Sequence, residues 1–297
     1  MTEILQAQAK SNKPPLLTVA MPVYNAGKYL RLAVLSIVKQ TFTDWEFLII
    51  DDGSTDNALR SIADIDDSRI QIIRDGENKG LAARLNEAID LASGQYFARM
   101  DQDDVSYPER FEHQLRVLHN DSRLDLVAVR AISISDEDEP VGVFPYAATH
   151  EEICARPWRG FYLPHPTWMG KTSWFCKYRY TIPGPYYSED MDLLLRSYKA
   201  SQFCILPEIL FAYRVRKNIV MRNQIKARLA VFGIQFRSFR RDGQWHYIIF
   251  ATLVLLARVL SDCWRLCKQM LHIPSRQFTG IPVSAQIEWT EIRKRLS

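Results

Sequence analysis

The chain has 297 residues, 47% hydrophobic and 24% charged, a globular balance that excludes a disordered, collagen-like or coiled-coil protein. The length suits about two domains, or one large domain with an appendage. The net charge of +4 is unevenly spread: residues 1–213 carry 22 Lys/Arg against 30 Asp/Glu, and residues 214–297 carry 16 against 4. An acidic body joined to a basic tail points the tail at an anionic partner, phospholipid or nucleic acid. Five scattered cysteines, Cys154, Cys176, Cys204, Cys263 and Cys267, make no disulfide framework and fit a reducing compartment. Lys10 and Lys13 are followed by no apolar stretch, so a secretory leader is not expected and a cytosolic location is.

Residues 16–21 form a short β-branched run ended by Pro22, and Asn25-Ala26-Gly27 is a turn before a helical pattern over 28–40. Residues 45–50 read as a buried strand stopped by Asp51-Asp52-Gly53-Ser54, and 55–65 as a helix. A third strand, 70–74, precedes Asn78-Lys79-Gly80 and a helix over 81–92; a fourth, 95–100, ends in Asp101-Gln102-Asp103-Asp104. This alternation predicts an α/β fold, a mainly parallel sheet with helices on both faces and ligand-binding loops at the strand C-terminal ends. The acidic loops fall on that edge.

Ser106 and Glu109 have the spacing of a capping box opening a helix over 109–120. Residues 125–187 give two short strands and a stretch rich in Pro and aromatic residues at 156–166; a helix over 189–200 and a strand over 203–213, interrupted at Pro207, follow. A tail (1–15), an α/β domain (16–223, with halves 16–124 and 125–223) and a basic helical extension (224–297) are the expected units, the last boundary lying where the charge changes sign. The apolar run 247–257 is short for a membrane span and ends in Arg258, but suits a membrane interface.

No G-x-G-x-x-G follows the first strand and no P-loop pattern occurs, so dehydrogenase and P-loop chemistry lose their main support. Carboxylates stand where those glycines would. They repel phosphate unless a cation intervenes, and Asp101, Asp103 and Asp104 supply the hard oxygen atoms that Mg²⁺ or Mn²⁺ prefers. A solvated acidic turn is the bland alternative. Cys263 and Cys267 at helical spacing, with His272 beyond, lack a fourth ligand and read as helix packing.

Five ordered segments, Val19-Ala-Met-Pro-Val-Tyr-Asn25, Ile49-Ile-Asp-Asp-Gly-Ser-Thr-Asp56, Asn78-Lys-Gly-Leu-Ala-Ala-Arg84, Arg99-Met-Asp-Gln-Asp-Asp104 and Ser188-Glu-Asp190, resemble family 2 glycosyltransferases over residues 16–215. The resemblance implies a GT-A fold and an inverting transfer from a nucleotide-diphosphate sugar, expected to be a UDP-sugar, with a divalent cation. It implies nucleotide-contacting roles for Pro22, Tyr24, Asn25, Asp51, Asp52, Gly53, Lys79, Gly80, Arg84 and Asp101. Asp101 and Asp103 resemble the metal-binding Asp-x-Asp, with Asp104 a competitor for the direct ligand, and Asp190 looks like the catalytic base. Glu189 and Asp192 are the weaker candidates for base.

His165 and Trp168 resemble the acceptor side, with Glu189 beside them; Trp174, Tyr186 and Tyr187 are further aromatics that could stack on sugars. The Gln-x-x-Arg-Trp signature of processive synthases is absent, so one sugar per encounter is expected. The His and Ser that many members place after Tyr213-Arg214 are missing; Arg214 or Arg216 is the expected substitute near the diphosphate. The function implied is hexose transfer to a glycan or lipid-linked acceptor in bacterial surface-polysaccharide synthesis, at the cytoplasmic side of an anionic membrane surface. Phe232, Ile234, Phe236 and Phe239 interleave with arginines in the tail, favouring membrane over nucleic acid, which is not an expected partner. An inactive scaffold is the remaining alternative, weakened by the complete set of acidic positions.

Overall fold

In a computed structural model, the described residues are 3–5, 13–184, 188–215, 221–270 and 281–296. Ten strands form one sheet: β1 Glu3–Leu5, β2 Leu17–Val23, β3 Trp45–Asp51, β4 Ile70–Arg74, β5 Tyr96–Arg99, β6 Val105–Ser106, β7 Leu126–Ile134, β8 Pro140–Val143, β9 Met169–Lys171 and β10 Phe203–Arg214. The order is β1-β4-β3-β2-β5-β9-β7-β10-β6, with β8 on β7. β4, β3, β2 and β5 run parallel, as do β7 and β10; β9 lies antiparallel between β5 and β7 and joins the two blocks. The helices are α1 Leu30–Val38, α2 Leu81–Leu91, α3 Arg110–Asn120, α4 His150–Cys154, α5 Thr172–Tyr178, α6 Glu189–Ser197, α7 Met221–Arg241, α8 Trp245–Met270 and α9 Val283–Leu296.

Buried aliphatic residues alternate along the strands and supply both faces of the sheet. Val19, Phe47 and Ile49 pack with α1, α3 and α9 on one face; Ala20, Leu48 and Ile50 pack with α2, α5 and α6 on the other. Burial on both faces makes the strands read as continuous apolar runs.

Pro22 does not end its strand. Val23 accepts from the Asp52 N–H and Ala20 from the Met100 N–H, so alternate residues of β2 face β3 and β5. Pro22 therefore faces the β5 side, where pairing stops at Ala20, and its missing N–H leaves no gap in the ladder. The interruption foreseen at Pro207 is a register shift between β10 and β7 after Leu206.

Ser106 does not cap a helix. Its backbone pairs with Phe211, its hydroxyl accepts from Gln40 Nε2 at 3.1 Å, and α3 starts after Glu109 with no side-chain cap. The helix expected over 55–65 is a 3₁₀ segment, Ala58–Ile62, because Asn25 Oδ1 draws the Thr55 and Asp56 N–H groups out of helical geometry.

The extension is not one surface. α7 and α8 form a hairpin on the α6 side, whereas α9 returns to the opposite face of the sheet. There Trp289 stacks on Tyr107 with centroids 6.4 Å apart and donates its indole N–H to the Asp138 carbonyl.

Candidate active site

Two clefts open at the C-terminal ends of the parallel strands, and Leu81, Arg99 and Asp101 line both. The first, about 430 Å³, is walled by Pro22, Tyr24, Asp52, Gly80, Gln102 and Asp103 among others. The second, about 490 Å³, is walled by Phe144, Phe161, Tyr162, His165, Glu189, Asp190 and Tyr213 among others.

In the first cleft Asp52 is cradled. Its Oδ1 accepts from the Lys79 N–H at 2.7 Å and from Arg84 Nε at 2.9 Å, and Oδ2 accepts from the Gly80 N–H at 3.0 Å. Gly80 stands at φ +86° before α2, a left-handed position that suits glycine and presents these two amides. Gly53, at φ +75°, permits a close approach of the next loop, since a Cβ there would lie 3.0 Å from the Glu77 carbonyl carbon. Asp51 Oδ1 accepts from the Ser54 N–H, Asn25 binds the Thr55 and Asp56 amides, and Lys79 Nζ pairs with Asp75. Asp51, Asn25, Gly53 and Lys79 thus shape the loops around the cleft without lining it.

Arg84 is a correction to the sequence reading. The guanidinium is wholly buried and bonds Asp52, Asp75, Glu87 and the Glu77 carbonyl, so it holds Asp52 from behind. A cation surrounded by three carboxylates has its charge spoken for. Hydrogen bonding to Arg84 in turn holds the Asp75 carboxyl far below the ordinary carboxylate range.

The acidic loop separates into members of different fate. Asp101 lines both clefts and Asp103 the first, whereas Asp104 turns into the interior, 2% exposed, where Oδ1 accepts from the Arg214 N–H at 2.7 Å. Asp104 is therefore not a candidate metal ligand. Burial, reinforced by the charges of Asp101 and Asp103, pushes its carboxyl well above the ordinary range. Arg214 does not reach toward the first cleft either: it binds the carbonyls of Asp103 and Ser135 and the Asp138 carboxylate, pinning the acidic loop to the end of β7. Arg216 lies outside the described residues.

Sequence reasoning missed Arg99 and Gln102. Gln102 clips the exposed Tyr24 through its backbone, accepting from the N–H at 2.7 Å and donating to the carbonyl at 3.0 Å. Arg99 pairs with Asp101 at 2.6 Å, is 2% exposed, and keeps its Nε and Nη1 without hydrogen-bond partners. Both stand inside the segment Arg99 to Asp104 that carries the family resemblance, and a charged side chain at the end of an apolar strand run was a further signal.

In the second cleft Asp190 and Glu189 both line the cavity from the first turn of α6. Loss of water raises both carboxyls above their ordinary values, while the Arg99 charge pulls them back. Asp192 is occupied by Thr181 Oγ1 and Arg196 Nε. His165 lines the cleft and shares a 2.7 Å hydrogen bond with the Tyr180 hydroxyl; burial and the Arg99 charge hold its pKa well below the usual histidine value. Trp168 does not serve this cleft: its ring is wholly buried and its indole N–H donates to the Leu163 carbonyl. Trp174 is likewise core, bonded to Ser201 Oγ. Tyr186, Tyr187, His272 and the Cys267 side chain lie outside the described residues.

Among the described residues no three His, Cys, Asp or Glu side chains converge on one point. Among the described residues Asp101 and Asp103 line the first cleft beside Asp52, and their carboxylate oxygens are the hard donors that suit Mg²⁺ or Mn²⁺, which complete their shells with water and phosphate. Such a wall beside the amide-cradled Asp52 suits a nucleotide diphosphate, and the buried carboxylates opposite suit proton abstraction.

The profile of Glycosyl transferase family 2 matches residues 18–179. An uncharacterized glycosyltransferase of Haemophilus influenzae is 30% identical over 217 residues, covering 69% of this chain and 67% of that protein. The Escherichia coli UDP-Glc:alpha-D-GlcNAc-diphosphoundecaprenol beta-1,3-glucosyltransferase WfgD is 35% identical over 103 residues, 35% of this chain and 41% of WfgD. This chain therefore spans under half the length of WfgD. Among solved structures, Staphylococcus aureus TarS 1–349 in complex with UDP-GlcNAc superposes with a TM-score of 0.64 over 94% of this chain and 80% of that one, at 17% identity.

Proposed function

The chain belongs to Glycosyl transferase family 2 and is a glycosyltransferase, and from that premise we propose that it transfers a hexose, with inversion, from a UDP-sugar to a lipid-linked glycan at the cytoplasmic face of a membrane. The observation that carries the reading is the shared wall: Asp101 and Arg99 belong to both clefts, so a donor and an acceptor seated in them meet there. Uracil offers an N–H donor, and Asp52 Oδ2, which accepts only from the Gly80 amide, retains capacity to receive it. WfgD, named for a UDP-glucose donor and a diphosphoundecaprenol-linked acceptor, supports the choice of both substrates.

Asp190 takes the proton of the acceptor hydroxyl as that oxygen attacks the anomeric carbon. The bond to the diphosphate breaks on the opposite side, which inverts the centre. A raised carboxyl pKa strengthens the base, and positioned bases of this kind contribute about 10²- to 10⁴-fold. A divalent cation held by Asp101 and Asp103 would supply positive charge to the departing diphosphate. Arg99, buried between the clefts, holds Asp101 and favours the ionised form of Asp190.

A thermal-shift screen of UDP, UDP-glucose, UDP-GlcNAc and GDP-mannose, each with and without Mn²⁺, tests the donor. A ligand that binds only the folded form stabilises it by RT ln(1 + [L]/Kd). Mn²⁺-dependent stabilisation by a UDP-sugar is expected; a GDP-sugar acting alone would replace the proposed base, and stabilisation by none would favour a scaffold.

A further inference from the structure

α8 has two faces of different chemistry. Its inner face packs on α7 and the body through Tyr247, Ile248 and the buried Ala251. The charges Arg258 and Asp262 also turn inward: Arg258 Nη2 donates to the Arg159 carbonyl at 2.7 Å, and Asp262, 2% exposed, pairs with Arg228 at 2.5 Å. The outer face carries Trp245, Ile249, Leu253, Leu256, Leu260 and Trp264, each more than half exposed. Their spacing of three or four residues places them in one helical stripe. At 1.5 Å per residue it runs for roughly 28 Å, far beyond a stray surface leucine.

We propose that this stripe lies flat in the interface of an anionic bilayer and holds the acceptor cleft against it. Tryptophan at both ends of an apolar stripe matches the preference of indole for the membrane–water boundary. Along the same hairpin α7 exposes Arg222, Arg237 and Arg240. Its acidic residues are neutralised within the molecule, Asp242 by Lys199 and Asp262 by Arg228. Charge therefore favours anionic lipid over a second copy of this chain, which would bring like charges together. The stretch from Trp245 to Trp264, which contains an 18-residue window of mean hydropathy 1.7, is also long enough to cross a membrane. Crossing is opposed by the hairpin: the Arg228–Asp262 pair holds α8 along α7, whose arginines would have to enter hydrocarbon.

The hairpin also grips the acceptor cleft. Trp158 lies against Tyr247 and Phe250, with centroids 4.8 and 5.1 Å apart, and Gln235 Nε2 donates to the Pro157 carbonyl at 2.9 Å. Phe161 and Tyr162, which line the cleft, follow directly. A surface that binds α8 thus lies beside the acceptor, and this last step rests on the lipid-linked acceptor proposed above.

Flotation of the full chain with vesicles of phosphatidylcholine alone, or mixed equally with phosphatidylglycerol, tests the surface. The chain should float with the anionic vesicles and mostly stay behind with the neutral ones. Leu253→Glu combined with Leu260→Glu, both at exposed positions, should cut the bound fraction by more than about tenfold, as expected for leucines withdrawn from an apolar phase. Vesicles brominated near the headgroup should quench the fluorescence that Trp245→Phe and Trp264→Phe remove, and deep bromination should quench less. Equal flotation of wild type and double variant, or stronger quenching by deep bromine, would overturn the proposal. So would a dimer that the double variant dissolves without any flotation in wild type. Nucleotide-induced thermal shift, measured on the same proteins without vesicles, reads the donor site separately: its loss in every protein would remove the transferase reading and leave the flotation result standing.

Discussion

Arg84 Nε lies 2.9 Å from Asp52 Oδ1, although thirty-two residues separate them in the chain. The guanidinium holds Asp52 in place from inside the protein, so any effect on the proposed nucleotide would pass through that carboxylate. Arg84→Met leaves its carboxylate partners without their cation and should destabilise the fold by about 3–5 kcal/mol, the cost of removing one partner from a buried ion pair. UDP affinity should fall further than Tm loss accounts for, read by calorimetry well below Tm. The Asp75–Arg84 contact also carries a pH signature: its stabilisation is complete above the ordinary aspartate pKa and is lost as pH falls toward the depressed folded value. Asp75→Asn should flatten stability in acid.

Asp103 and Asp104 are neighbours with opposite surroundings. Asp103→Asn should abolish the Mn²⁺ dependence of UDP binding, because a neutral amide coordinates a hard cation poorly. Asp104→Asn keeps an oxygen for the Arg214 N–H and should leave that dependence nearly unchanged. Titration of UDP with and without Mn²⁺ separates the two; equal loss in both variants would count against the division made here.

For Asp190, replacement by Asn should lower transfer by at least about 10²-fold while donor binding persists. Because burial raises this carboxyl, the acid limb of kcat/KM should lie above the ordinary aspartate pKa, activity falling as the base is protonated. Glu189→Gln with the same loss and the same vanished limb would move the role one residue.

His165 should stay neutral across the physiological range. Its folded pKa lies below the unfolded value, so the unfolded chain binds the extra proton and stability falls as pH drops below about 6.5. His165→Gln should reduce that slope, read as Tm against pH between about 5 and 7.

Much of this architecture was legible because parallel strands buried on both faces announce themselves as apolar runs, and their polar ends place the loops. Asp52, Asp101, Asp103 and Asp190 line the clefts. Arg84, Asp104 and Trp168 do not, for a common reason: a motif fixes position along the chain, while the direction of a side chain depends on what packs behind it. Asp104 turns inward because the Arg214 amide meets it there, and no local pattern links residues so far apart. Arg99 was hidden by its surroundings, one charge in a strand otherwise read as core.

β9 is only three residues long, yet it is hydrogen-bonded to β5 on one side and β7 on the other. At its centre Gly170 has no room for a side chain, since a Cβ would collide with the Asp125 carbonyl. Just before it, the Trp168 carbonyl accepts the Arg99 N–H at 2.9 Å. This seam ties the floor of one cleft to the floor of the other at fixed spacing, so neither can be remodelled there alone. Phe144 and Tyr162 line the second cleft from segments outside this seam, so substitutions there would reshape that cleft while leaving the wall it shares with the first, at Arg99 and Asp101, in place.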